Sequence, residues 1–159
     1  MITPEIKEII NKMSTLYGIN ADLIAAFIMT ESSGNPKAYR YEPAFYQKYI
    51  VPLDLPDGEG HGRAASYGLM QIMGEVAREL GFKDEFEKLY DPETGLHYGV
   101  KHLKSFITRY ATTDNSLDSA IAAYNAGSSR KKTDGTFVNQ QYVDTVKKYF
   151  AEFSQARPA

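Results

Sequence analysis

Residues 20–36, NADLIAAFIMTESSGNP, mark both ends of a helix and put one charge in an awkward place. Asn20 supplies an N-cap, Asp22 adds an acid to the first turn, and good helix formers follow. Ser32, Ser33, Gly34, Asn35 and Pro36 then stop the helix. Leu23, Phe27 and Glu31 recur every four residues and share one face, with Ile24 and Ile28 beside them. A carboxylate thus closes the apolar stripe of a core helix. Glu31 either turns out to solvent at the helix end or stays against Leu23 and Phe27. In the second case shielding from water raises its pKa. Such a glutamate keeps a proton near neutral pH and can donate it to a leaving group, as glycosidic bond cleavage demands.

The rest of the chain reads as further helices. Thr3 caps and Pro4 opens a helix to Tyr17, with Ile6, Ile9, Ile10 and Met13 on one side. Gly18 ends it, so it packs directly beside the Asn20 helix. Pro43 starts a short helix to Tyr49, with Phe45 and Tyr49 on one face. Asp54 to Gly62, rich in glycine and carboxylates, reads as an exposed loop. Its Asp57, Glu59 and His61 match neither a calcium loop nor a zinc pair, so a solvated lid is preferred to a metal site. A short helix spans Glu75 to Leu80. Asp91 and Pro92 begin a long helix to about Tyr110, with Leu96, Val100, Leu103, Phe106 and Ile107 buried. Leu117 to Asn125 is an apolar helix ended by Gly127. Ser128 to Gly135 is a basic loop. The last helix runs from about Asn139 to Phe153, with Tyr142, Val143, Val146, Tyr149 and Phe150 inward.

These patterns predict a mainly α fold with a small irregular hairpin near residues 50–68. The 159 residues suit one domain, 1–159, with a core over about 18–150. A net charge of −2 leaves no footprint for nucleic acid. No apolar run approaches the about 18 residues of a membrane span. With no cysteine, disulfides and thiolate chemistry are excluded. No signal peptide is visible at the N-terminus.

Four pieces then coincide in order: Glu31-Ser32 ending an apolar helix, GLMQI at 68–72, AYNAG at 123–127, and Tyr142-Val143 on the last helix. Together they resemble the lysozyme-like lytic transglycosylase domain, the family of the soluble lytic transglycosylases, related to goose-type lysozyme. The resemblance implies a lysozyme-like helical fold with the insertion beside the cleft. It implies cleavage of the β-1,4 bond between N-acetylmuramic acid and N-acetylglucosamine, closing a 1,6-anhydro ring. By that match Glu31 is the acid/base. Ser32 bonds near the sugar or steadies the helix end. Gly68 permits close backbone approach, and Gln71 both donates to and accepts from an N-acetyl group. Tyr124 packs against or bonds to saccharide, Asn125 binds it or merely ends its helix, and Met70 is packing. Tyr142 aims at the catalytic carboxyl, with a plain core tyrosine as the competing reading. Neither metal nor organic cofactor is implied. The partner is the glycan strand, and a monomer acting in the periplasm or cell wall is expected.

About forty residues separate Glu31 from Gln71, longer than in many members of that family. The inserted segment contains Glu42, the best candidate for a second carboxylate, which would allow water activation and hence a hydrolytic muramidase. An ion pair of Glu42 with Arg40 or Arg63 is the preferred role. A non-catalytic wall-binding module on the same scaffold is the third reading.

Overall fold

The computed structural model describes residues 1–157, and among them eight α-helices surround a small sheet. Helix α1, Pro4–Tyr17, is capped by Thr3, whose Oγ1 accepts from Ile6 N at 3.2 Å. Helix α2, Ala21–Ser32, starts at Asn20, whose side chain accepts from Asp22 N at 2.8 Å. It ends at Ser33 in a left-handed conformation. Helix α6, Pro92–Thr113, is capped by Asp91, helix α7 is Leu117–Ala126, and helix α8 is Gln140–Ala156. Local capping thus sets these boundaries, and apolar periodicity sets which faces meet.

Helix α2 is the hub: Leu23 to Ile28 are all buried, and its most extensive neighbour is α8. The main core joins α1, α2, α6, α7 and α8 around Phe27, Leu103 and Ile121. As the spacing predicts, Leu96, Val100, Leu103 and Phe106 are buried, while Ile107 is only partly so. A second apolar cluster lies under the sheet and includes Tyr67, Ile72, Phe82 and Phe86.

The strands are β1, Tyr39–Tyr41, β2, Ala65–Tyr67, and β3, Ile72–Met73, antiparallel in that order. Tyr39 pairs with Tyr67, and Tyr67 with Ile72. The sheet is therefore displaced from the expected hairpin over 50–68. Instead β1 and β2 close the neck of the inserted segment, residues 42–64. At the β2–β3 turn Gly68 has φ +76, and a Cβ there would lie 2.8 Å from the Leu89 carbonyl oxygen. Only glycine suits that approach.

The insertion itself overturns one expectation. Residues 54–62 are not an exposed loop throughout, because Asp57–Arg63 forms helix α4. Acidic Asp57 and Glu59 occupy its first turn and basic His61 and Arg63 its last, matching the helix dipole. Arg63 Nε reaches Glu59 at 3.0 Å one turn away, and Arg78 grips both Glu59 oxygens, at 2.8 and 3.1 Å. Arg78 belongs to helix α5, Gly74–Glu79. A glycine-rich run thus becomes helical because an outside arginine anchors it, a partner invisible to local propensity. Before it, helix α3, Pro43–Phe45, opens into a wider π-helical turn over Tyr46–Ile50.

Candidate active site

Helix α2 carries Glu31 to the edge of a cleft of about 680 Å³. The apolar stripe beneath it is real: Phe27 is fully buried, and its ring meets Tyr124 edge-on at 4.9 Å and Tyr142 at 6.4 Å. Glu31 is half-buried at the top of this aromatic cluster. Burial pushes its pKa up to about 7, against the opposing effects of a hydrogen bond from Tyr142 and the charge of Arg40. The Tyr142 hydroxyl donates to Glu31 Oε2 at 2.6 Å. This phenol is itself raised well above its ordinary value, by burial and then by the neighbouring Glu31 charge. The upward shift favours the protonated phenol, the form that donates to the carboxylate.

The other residues singled out from the sequence divide into those that line the cleft and those that hold it. Gln71, Asn125, Tyr124, Tyr142 and Glu42 line it together with Glu31. Gln71 takes φ +51, and its Nε2 donates to the carbonyls of Ala38 at 3.0 Å and Gly68 at 3.2 Å. Two carbonyl neighbours fix the amide's orientation and leave Oε1 as the acceptor for a ligand. Asn125 Oδ1 accepts from Asn139 Nδ2 at 2.9 Å, which leaves the Asn125 amide hydrogens free to donate.

Three residues act from beneath. Ser32 Oγ donates its one hydrogen to Leu69 O at 2.7 Å, with Ile28 O at 3.1 Å as the alternative acceptor, tying the end of α2 to the β2–β3 turn. Those contacts lie at the helix end, where the second of its two expected roles would place them. Gly68 makes a close backbone approach to the Leu89 carbonyl inside the fold. Tyr124, expected to pack against or bond to saccharide, lines the cleft, while its hydroxyl donates to Met70 O at 2.7 Å. A buried phenol must find a partner, and the turn carbonyl is nearer than solvent. Met70 itself is core.

Glu42 accepts from Arg40 at 3.0 Å, the ion pair the sequence favoured. Glu59 and His61 are likewise engaged: Glu59 by the two arginines, His61 Nδ1 at 2.9 Å from the Tyr41 hydroxyl. Hydrogen bonding from Arg78, ahead of other effects, holds the Glu59 carboxyl below its usual range. Glu59 is thus already neutralised by protein cations.

One cleft residue, His102, and one residue behind the cleft, Asn139, escaped sequence reasoning. His102 on α6 lines the wall against Tyr124, 5.3 Å between rings, and burial drives its pKa down to about 4. It is neutral at physiological pH. It sits four residues before Phe106 at the margin of the apolar stripe, the same signal that marked Glu31. Asn139 sets the Asn125 amide from the far side and also donates to Ala122 O at 3.0 Å. As a residue before a helix it reads only as a cap, and nothing local points to α7.

The chain is similar to known transglycosylases. Curated relatives include the transglycosylase of Enterobacteria phage PRD1, 28% identical over 123 residues, 77% of this chain and 35% of that protein. Membrane-bound lytic murein transglycosylase C of Haemophilus influenzae (strain PittGG) is 26% identical over 150 residues, 87% of this chain and 38% of that protein. The chain thus spans little more than a third of the length of these relatives. The model of the Transglycosylase SLT domain matches residues 8–144. That match begins in α1 and ends in α8, so it takes in every element that meets around Glu31, and the chain belongs to the transglycosylase SLT-domain family.

Proposed function

We propose that this protein is a peptidoglycan lytic transglycosylase in which Glu31 acts alone as acid and then base. The observation that carries the reading is the Glu31 carboxyl itself, raised by burial to about 7 and bonded by Tyr142 within a cleft. A carboxyl so poised is protonated in a large fraction of molecules near neutral pH. It gives its proton to the glycosidic oxygen as the bond from muramic acid C1 breaks. The resulting carboxylate removes the proton of the muramic acid 6-hydroxyl while that oxygen bonds to C1. The products are a 1,6-anhydromuramic acid end and a free 4-hydroxyl on N-acetylglucosamine, and Glu31 returns protonated. Tyr142 steadies the carboxylate between the two transfers. Gln71 Oε1 and the Asn125 amide offer an acceptor and a donor to N-acetyl groups.

A single acid/base is favoured over a hydrolytic pair because Glu42, the other carboxylate lining the cleft, is engaged by Arg40 at 3.0 Å. The names of the relatives support the same activity. The substrate puts the site of action in the periplasm or cell wall, and the protein is expected to work as a monomer. Among the described residues no helix is long and apolar enough to cross a membrane. The test is mass spectrometry of products from purified peptidoglycan. Muropeptides lighter by one water than the reducing form are expected. Reducing ends would replace the reading with a muramidase using Glu42, and binding without cleavage would leave a wall-binding module.

A further inference from the structure

We propose that Phe45 and Tyr49, on the inserted segment, form a carbohydrate-stacking ledge at the mouth of the Glu31 cleft. It takes the apolar face of a sugar ring of the glycan strand and extends the bound length beyond the reacting pair. This rests on the peptidoglycan reading.

Both side chains line the same cleft as Glu31, and their rings lie 4.9 Å apart at 45°. Pro43 opens the turn that carries them, and a spacing of four puts both on one face. Tyr49 is 52% exposed, and Tyr39, Val51 and Leu53 of the same region are each about half exposed. An exposed aromatic side chain lining a cleft is available to a ligand bound there.

The ledge is also rigid. The Tyr46 and His61 rings stack at 4.1 Å and 14°, and His61 meets the Tyr41 hydroxyl. Gly60 lets α4 close on the turn, where a Cβ would lie 3.2 Å from Ile50. The Glu59, Arg63 and Arg78 ion pairs pin α4 to α5. Aromatic rings fixed in place give contact area at little entropic cost on binding.

The nearby polar groups fit a sugar edge better than a charged peptide. Arg40 and Glu42 satisfy one another, and Gln71 offers a neutral acceptor. Lys48 Nζ lies 5.1 Å from the Tyr49 ring centroid. A pyranose in a β-1,4 chain presents C–H groups on its face and hydroxyl and N-acetyl groups around its rim. An aromatic floor with neutral or paired polar groups beside it matches that pattern.

The test titrates the peptide-free hexamer of N-acetylglucosamine into the Glu31→Gln protein by calorimetry, so that no cleavage intervenes. Adding Tyr49→Ala should weaken binding about tenfold, and adding Phe45→Ala as well should weaken it further. Tyr49→Phe should keep parental affinity because the ring remains. In otherwise unaltered protein Tyr49→Ala should raise KM for peptidoglycan and lower kcat by less. Parental affinity in the double alanine variant overturns the ledge and leaves the enzymatic reading standing. So does a loss confined to peptide-bearing glycan, which would make the ledge a reader of peptide stems. An inactive parent that binds no hexamer, beside a wild type that cleaves no peptidoglycan, overturns both.

Discussion

Glu31 and Glu42 line one cleft from opposite kinds of ground. Glu31 stands at the end of α2, with a fully buried phenylalanine one turn below and a phenol as its hydrogen-bond partner. Glu42 stands on the inserted rim, paired at 3.0 Å with an arginine whose side chain is 75% exposed. The first is kept near the point of losing its proton and the second is held by a cation. The same side chain thus takes two roles, and desolvation against ion pairing makes the difference. The contrast extends to the walls themselves. The Glu31 wall is part of the main core, whereas the Glu42 rim is secured by salt bridges and stacked aromatics.

Substitutions in each wall should break or sharpen this contrast. The largest effect belongs to Glu31→Gln, which cannot donate and recover a proton. Cleavage should fall by at least about a thousandfold while the circular dichroism spectrum is kept. Retained activity would move catalysis to the Glu42 wall. Next is Phe27→Ala, which empties the centre of the Glu31 wall and should cost about 3–5 kcal/mol in denaturant unfolding.

The third prediction concerns pH. A carboxyl raised from 4.5 to about 7 binds its proton more tightly in the folded state than in the unfolded state. Its cost to stability is absent below about pH 4.5, grows as pH rises through the window to 7, and is constant above. Glu31→Gln should therefore melt with wild type at pH 4.5. At pH 8 it should be more stable by on the order of 2 to 3 kcal/mol. Equal melting at both values would mean that burial does not hold the Glu31 proton.

Arg78→Ala should release α4 from α5 and cost about 2 kcal/mol, leaving a partly exposed Glu59 with Arg63 alone as its ion-pair partner. Hydrogen exchange should quicken over residues 57–63 and stay slow in α2 and α8. Uniform quickening would show that rim and core are one cooperative unit. The smallest effect is Tyr142→Phe, expected to slow cleavage about tenfold. Because the lost hydrogen bond was lowering the Glu31 pKa, the alkaline limb of the rate profile should move to higher pH. An unshifted limb would reduce Tyr142 to a packing residue.

Legibility followed the same division. The Glu31 wall is built from helices whose caps and apolar spacing are local, and residues 20–32 read in the sequence much as they fold. The rim was misread where its order comes from elsewhere: Asp57–Arg63 has three glycines and no periodicity, and Arg78 supplies the missing anchor. Ser32, Gly68 and Tyr124 belong to the motifs that announced the family. Their hydroxyls and backbone nevertheless support the cleft from beneath, because buried polar groups take the nearest carbonyl.

From sequence alone came the helix ends, the buried stripes and the unusual place of Glu31, since capping and 3.6-residue periodicity act within one segment. Only the tertiary structure decided that Tyr142, 111 residues further along, meets that carboxyl at 2.6 Å. It likewise decided that Asn139 sets Asn125 and that His102 faces the same cleft. Those contacts depend on how α2, α6, α7 and α8 pack, and packing is settled by all their faces together.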